Sequence, residues 1–135
     1  MANGLQVTQP YGHSEFVQMA LLEFPELREE FEDFDGLLHV QMGAFARLVQ
    51  GAKGQAAWDV YERAVRLADT LWTHADPSLQ NALNVSFLEN IDFEGSRGRT
   101  AWGYLSPSLR VGWRLMKEYN ELLAAPPKKE RGKHL

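Results

Sequence analysis

The sequence predicts a single all-α domain, packed as an irregular bundle of five or six helices. Three observations predict it. Apolar residues recur at three- and four-residue spacing through most of the chain, which is the period of a helix face. A helix start signal, Asp or Ser followed by Pro, occurs at Asp76 with Pro77 and again at Ser106 with Pro107, placing a side-chain cap before a residue suited to the first turn. No stretch sustains the alternation a strand requires; VQM (40–42) and NVSF (84–87) are short and sit within helical periodicity.

The elements follow in order. Residues 1–12 carry Gly4, Pro10 and Gly12 and read as an extended or frayed arm. A first helix starts near Ser14, with Phe16, Met19, Ala20 and residues 22–24 on its apolar side. It ends near Phe24, because the residue before Pro25 avoids helical geometry. Pro25 opens a short second helix, residues 25–34, anchored by Leu27, Phe31 and Phe34. Gly36 resets the chain. Residues 37–52 form the next helix, with Leu37, Val40, Ala44, Phe45, Leu48 and Val49 facing inward. Gly43 is its weak point, costing about 1 kcal/mol relative to alanine. GAKG at 51–54 reads as a turn. The following helix runs from Gln55 to about His74 on a stripe of Ala57, Val60, Tyr61, Ala64, Leu67, Ala68 and Leu71. Asp59 with Arg63 and Glu62 with Arg66 are acid-before-base pairs four apart.

Residues 76–91 form the central helix. Leu79, Leu83, Phe87 and Ile91 recur every four residues, and Ala82, Val85 and Leu88 widen that stripe over much of the surface. A helix so apolar is surrounded by others. Residues 92–105, with Gly95, Gly98 and Gly103, read as an irregular loop carrying Phe93, Arg97, Arg99, Trp102 and Tyr104. Its aromatics either close one end of the bundle or serve as interface anchors. The last helix, residues 107–124, sets Leu109, Trp113, Met116 and Leu123 on one side, with Leu115, Tyr119 and Leu122 beside them. The domain therefore spans 13–125, followed by a disordered basic tail at 126–135.

Charge and missing features narrow the function. The 135 residues carry a net charge of −4, but the tail holds Lys128, Lys129, Arg131 and Lys133 against Glu130. Without that tail, residues 1–125 hold 10 basic and 17 acidic side chains, a formal charge of −7. Such a body repels nucleic-acid phosphates and favours a basic protein partner. The acidity concentrates at Glu26, Glu29, Glu30, Glu32, Asp33 and Asp35, relieved by Arg28. That run is either a solvated face near a helix start or a docking patch that steers association. The absence of cysteine excludes disulfides, thiol nucleophiles and thiolate metal sites and fits a cytoplasmic protein. No signal peptide or membrane span is read.

No catalytic constellation emerges. His13, His39, His74 and His134 form no HExxH or other local ligand pair, and Ser14, Ser86 and Ser106 lack a nucleophile-elbow context. No cofactor and no metal are expected, and the chain reads as a non-enzyme. An alternative is a metal-assisted hydrolase using Glu89 and Asp92; another is a helical adaptor or regulatory subunit.

The segments FPEL (24–27), the apolar helix at 37–49, ALNVSFLENI (82–91) and LSPSLRVGWRLMKEYNELL (105–123) resemble a group of small bacterial all-helical domains of the immunity type, encoded beside polymorphic or contact-delivered toxins. The resemblance implies a cytoplasmic protein that inhibits a cognate toxin by covering its active site, and it assigns no functional residue. On charge, the contact surface is expected at Glu26, Glu29, Glu30, Glu32, Asp33 and Asp35, then at Phe93, Arg97, Arg99, Trp102 and Tyr104.

Overall fold

In a computed structural model that describes residues 9–124, the chain is all-α, seven helices with no strand among the described residues. They are α1 (His13–Glu23), α2 (Arg28–Asp33, entered through a 3-10 turn at Pro25–Leu27), α3 (Leu38–Gly54), α4 (Trp58–His74), α5 (Pro77–Ala82), α6 (Gly95–Gly103) and α7 (Pro107–Ala124). The seventh is α6, which lies where the three glycines of residues 92–105 read as a loop. Residues 1–8 of the arm expected at 1–12, and the basic tail expected at 126–135, lie outside the described residues. The end of the arm is tied down. The Tyr11 amide donates to the His74 carbonyl and the Asp76 amide donates to the Tyr11 carbonyl, both at 2.8 Å.

α3 is the axis of the bundle and packs against α1, α2, α4, α5 and α6. Its inward face is Gln41, Met42, Ala44, Phe45, Ala46, Val49, Ala52 and Lys53. Leu37 and Val40, expected inside, are largely exposed at 51% and 40%. The cause is a rotation of the buried stripe toward Gln41 and Met42. Gln41 can be buried because its amide is satisfied: it meets the His13 ring and donates to the Phe31 carbonyl at 2.9 Å. GAKG is the last turn of α3, and the reversal comes at Gln55 and Ala56, where Ala56 takes φ +56°.

Phe45 is the hub of the core. Its ring lies 6.0 Å from that of Phe16 and 6.3 Å from that of Phe24, and stacks on Phe87 at 5.2 Å and 16°. α4 presents Tyr61, Ala64, Leu67, Ala68 and Leu71 inward as expected, with Val65 added. The Tyr61 hydroxyl donates to the Ala101 carbonyl at 3.1 Å, and burial holds its pKa far above the ordinary tyrosine value. Glu62 pairs with Arg66 at 2.8 Å. Arg63 turns away from Asp59 and instead pairs with Glu23 at 2.7 Å, clamping α4 to α1.

The helix expected at the centre, 76–91, packs against α3 and gives the axial place to it; it is capped as expected, Asp76 accepting from the Leu79 amide at 2.8 Å. It is not uniform. α5 widens into a π-helical turn at Leu83–Phe87 and tightens to a 3-10 turn at Leu88–Asn90. A regular α-helix advances about 40° for every four residues, so a strict four-residue repeat would drift off the core. The wider π turn removes that drift, and Leu79, Leu83, Phe87 and Ile91 are all buried. Val85, expected in the stripe, is 43% exposed, because the same geometry turns it to the surface.

Candidate functional site

The acidic segment is built as a projecting corner. Leu27 and Phe31 are buried and pin α2 to the core, which forces the carboxylates on the opposite side into solvent. Glu30 pairs with Arg47 of α3 and Glu32 with Arg28 at 3.7 Å. Among the described residues, Glu26, Glu29, Asp33 and Asp35 have no salt bridge. The chain then turns through Gly36, at φ +82°, and brings Phe34, Leu37 and Val40 to the same corner, each at least 40% exposed. Sequence reading assigned all three to the core. The segment 26–40 thus exposes both carboxylates and apolar side chains.

The second expected set packs at one end of the bundle. Phe93, Trp102 and Trp113 form a closed triad of edge-to-face rings, with centroids 5.0–5.4 Å apart, an arrangement favoured by their quadrupoles. Arg110 and Arg114 lie over Trp102, and Lys117 lies over Trp113. The Trp113 indole donates to the Ile91 carbonyl at 3.1 Å. Arg110 donates to the carbonyls of Trp102 and Gly103, capping the C-terminal end of α6. Tyr104 stacks on Trp58 at 5.7 Å, and Arg97 donates to the Gly54 carbonyl. Arg99 is exposed. Phe93, Trp102 and Trp113 are half-buried in closing one end of the bundle, while Tyr104 keeps 37% of its surface exposed.

Nor do the two sets share one face. The acidic corner is held to α3 at Gln41 and Arg47, and the α6 end is held at Gly54 and Lys53. Gln41 and Gly54 stand about 20 Å apart along the helix at 1.5 Å per residue.

The carboxylates Glu89 and Asp92 are committed to separate partners. Glu89 accepts from Asn120 at 2.7 Å. Asp92 accepts from the buried Lys53 ammonium at 3.1 Å, and its backbone carbonyl accepts from the same group at 2.7 Å. Among the described residues no group of three or more His, Asp or Glu is placed to hold a metal, and no helix is long and apolar enough to cross a membrane. The Lys53 hydrogen bond holds the Asp92 carboxyl below its ordinary value. A carboxyl depressed on folding stabilises above its unfolded pKa, and that contribution is lost as pH falls through the folded value. Asp92→Asn is therefore expected to cost about 1 kcal/mol at pH 7, the carboxylate being mostly exposed although the Lys53 ammonium is buried, and less at pH 3. Urea unfolding at both pH values reads this; an equal deficit at each would show that charge is not what Lys53 recognises.

Fold and site together define a small all-helical domain with an exposed acidic and apolar corner at α2 and the turn into α3. The chain belongs to the family described as a domain of unknown function, DUF7674, which matches residues 17–121 and so spans every helix of the bundle in whole or part. No curated protein and no solved structure matches it.

Proposed function

We propose that this domain binds a basic protein partner without catalysis, through the corner formed by α2 and the turn into α3. The observation that carries the reading is the exposure of Phe34, Leu37 and Val40 in the same short segment as four acids that have no salt bridge among the described residues. Apolar anchors supply affinity where they are desolvated, while the surrounding charges set association rate and exclude acidic competitors. The partner that the sequence resemblance implies is a cognate toxin domain with a basic active-site cleft, neutralised when the corner covers it.

The test is protection and capture. The product of the adjacent gene, expressed as a toxin domain, is bound by the wild-type protein and rendered harmless. Reversing Glu29, Asp33 and Asp35 to lysine lowers the association rate about 100-fold at low salt, and Phe34→Ser slows nothing but speeds dissociation. Undiminished protection by both variants would remove the corner from the account.

A further inference from the structure

A groove of about 420 Å³ opens between α4, the segment 80–89 and α7, and shares no residue with the acidic corner. That volume falls within the roughly 300–1,000 Å³ of small-molecule sites. Trp72 forms one wall and is half-buried. Its indole packs so close to α7 that a Cβ on Gly112 would lie 2.7 Å from Cζ2, so the α7 backbone holds the ring in place. The other walls are polar, lined by Gln80, Asn81, Asn84, Glu89 and Asn120.

These amides stand against local preference. Asparagine is a poorer helix former than alanine or the long charged residues that usually fill a solvent face. Asn90 offsets this by donating to the Ser86 carbonyl one turn back, and Asn120 donates to Glu89 at 2.7 Å. Among the described residues, the side chains of Gln80, Asn81 and Asn84 make no hydrogen bond of either kind. Their spacing, three and four apart, gathers them on one face, and Asn84 sits in the π-helical turn, a distortion frequent at functional sites.

The lining selects the ligand. It carries no Lys, Arg or His, so an anion would find no counter-charge beside Glu89. Glu89 already accepts from Asn120, which leaves a cation one half-committed carboxylate. An apolar ligand would strip water from the amides and pair none of them. A hydroxyl matches them, because an amide side chain both donates and accepts, as a hydroxyl does. Trp72 and Tyr119, both in the lining, add aromatic surface for the C–H face of a ring. We propose that this groove binds a neutral saccharide, its ring against Trp72 and Tyr119 and its hydroxyls on the amides of Asn81, Asn84 and Asn120.

Saturation-transfer NMR of the full chain tests this. The probes are glucose, galactose, mannose and N-acetylglucosamine, each at about 20 mM, a concentration suited to the weak affinity of so small a ligand. At least one sugar is expected to receive saturation, and glucose 6-phosphate and spermidine none. Asn81→Ala combined with Asn84→Ala raises the dissociation constant at least about 10-fold, yet raises the melting temperature by about 3 °C, alanine being the better helix former. Transfer to none of the four sugars overturns the proposal, as does transfer that the double variant leaves unchanged. Stronger transfer to glucose 6-phosphate or to spermidine than to any neutral sugar overturns it too. A double variant that melts lower than the wild type would show that the amides hold the fold instead. None of these outcomes touches the acidic corner, whose own test is partner binding.

Discussion

Replacing Phe45 by alanine is expected to remove about 4 kcal/mol of unfolding free energy, within the range for a fully buried phenylalanine. Phe45 has no solvent exposure and is the one ring that touches aromatic side chains from α1, the α1–α2 junction and the π-helical turn at once. Removing it opens a cavity that no single neighbour can close, because each is anchored by its own helix. For a domain of this size the loss corresponds to a melting temperature about 15 °C lower. Phe45→Leu keeps most of the volume and is expected to lose under about 1.5 kcal/mol. The pair of values, from urea unfolding, separates cavity formation from loss of hydrophobicity. A cost below about 1.5 kcal/mol for the alanine variant would mean that the core does not depend on this hub.

Gly98→Ala is expected to cost about 3 kcal/mol, at the upper end for overpacking, although alanine is the better helix former. A Cβ at Gly98 would lie 2.7 Å from the Phe93 Cα and closer still to its carbonyl group. The obstacle is backbone, so no rotamer change relieves it. The only relief is for α6 to move off residue 93, which pulls Trp102 away from Phe93 and Trp113. Tryptophan fluorescence should therefore shift to the red even in the folded variant. Gly103→Ala, in the same helix with nothing within 4 Å, is the control and is expected to be neutral or to gain up to about 1 kcal/mol. Equal effects at the two positions would show that helix propensity, not the contact with Phe93, governs α6.

The two variants mark where sequence reading worked and where it did not. The hub was legible: Phe45 and Phe87 fall on apolar stripes of strongly periodic segments, and both caps, at Asp76 and Ser106, form as expected, Ser106 accepting from the Leu109 amide at 3.1 Å. α6 was not legible. Three glycines in nine residues depress helix propensity, and nothing local reveals that Gly98 serves a close approach to Phe93. The acidic corner was half legible. Its carboxylates are visible as a run, but the exposure of Phe34, Leu37 and Val40 is not, since an apolar residue at helical spacing reads as core. α7 raises the same difficulty: its apolar flank is wide enough to read as core throughout, and the neighbours cover only part of it.

What the sequence by itself determined is the helical class, the places where most helices begin and end, the apolar periods and the excess of negative charge. Those properties follow from spacing, capping and composition, which are local. What only the tertiary structure decided is the rotation of each helix about its axis. That rotation set which apolar residues were covered, let a π turn keep a four-residue repeat on the core, and made a helix from a glycine-rich segment. It is chosen by packing against neighbours distant in the chain, where burial of Gln41 with its partners satisfied competes with burial of Leu37 and Val40. The acidic corner with its exposed Phe34, Leu37 and Val40 and the open flank of α7 are what that competition left uncovered.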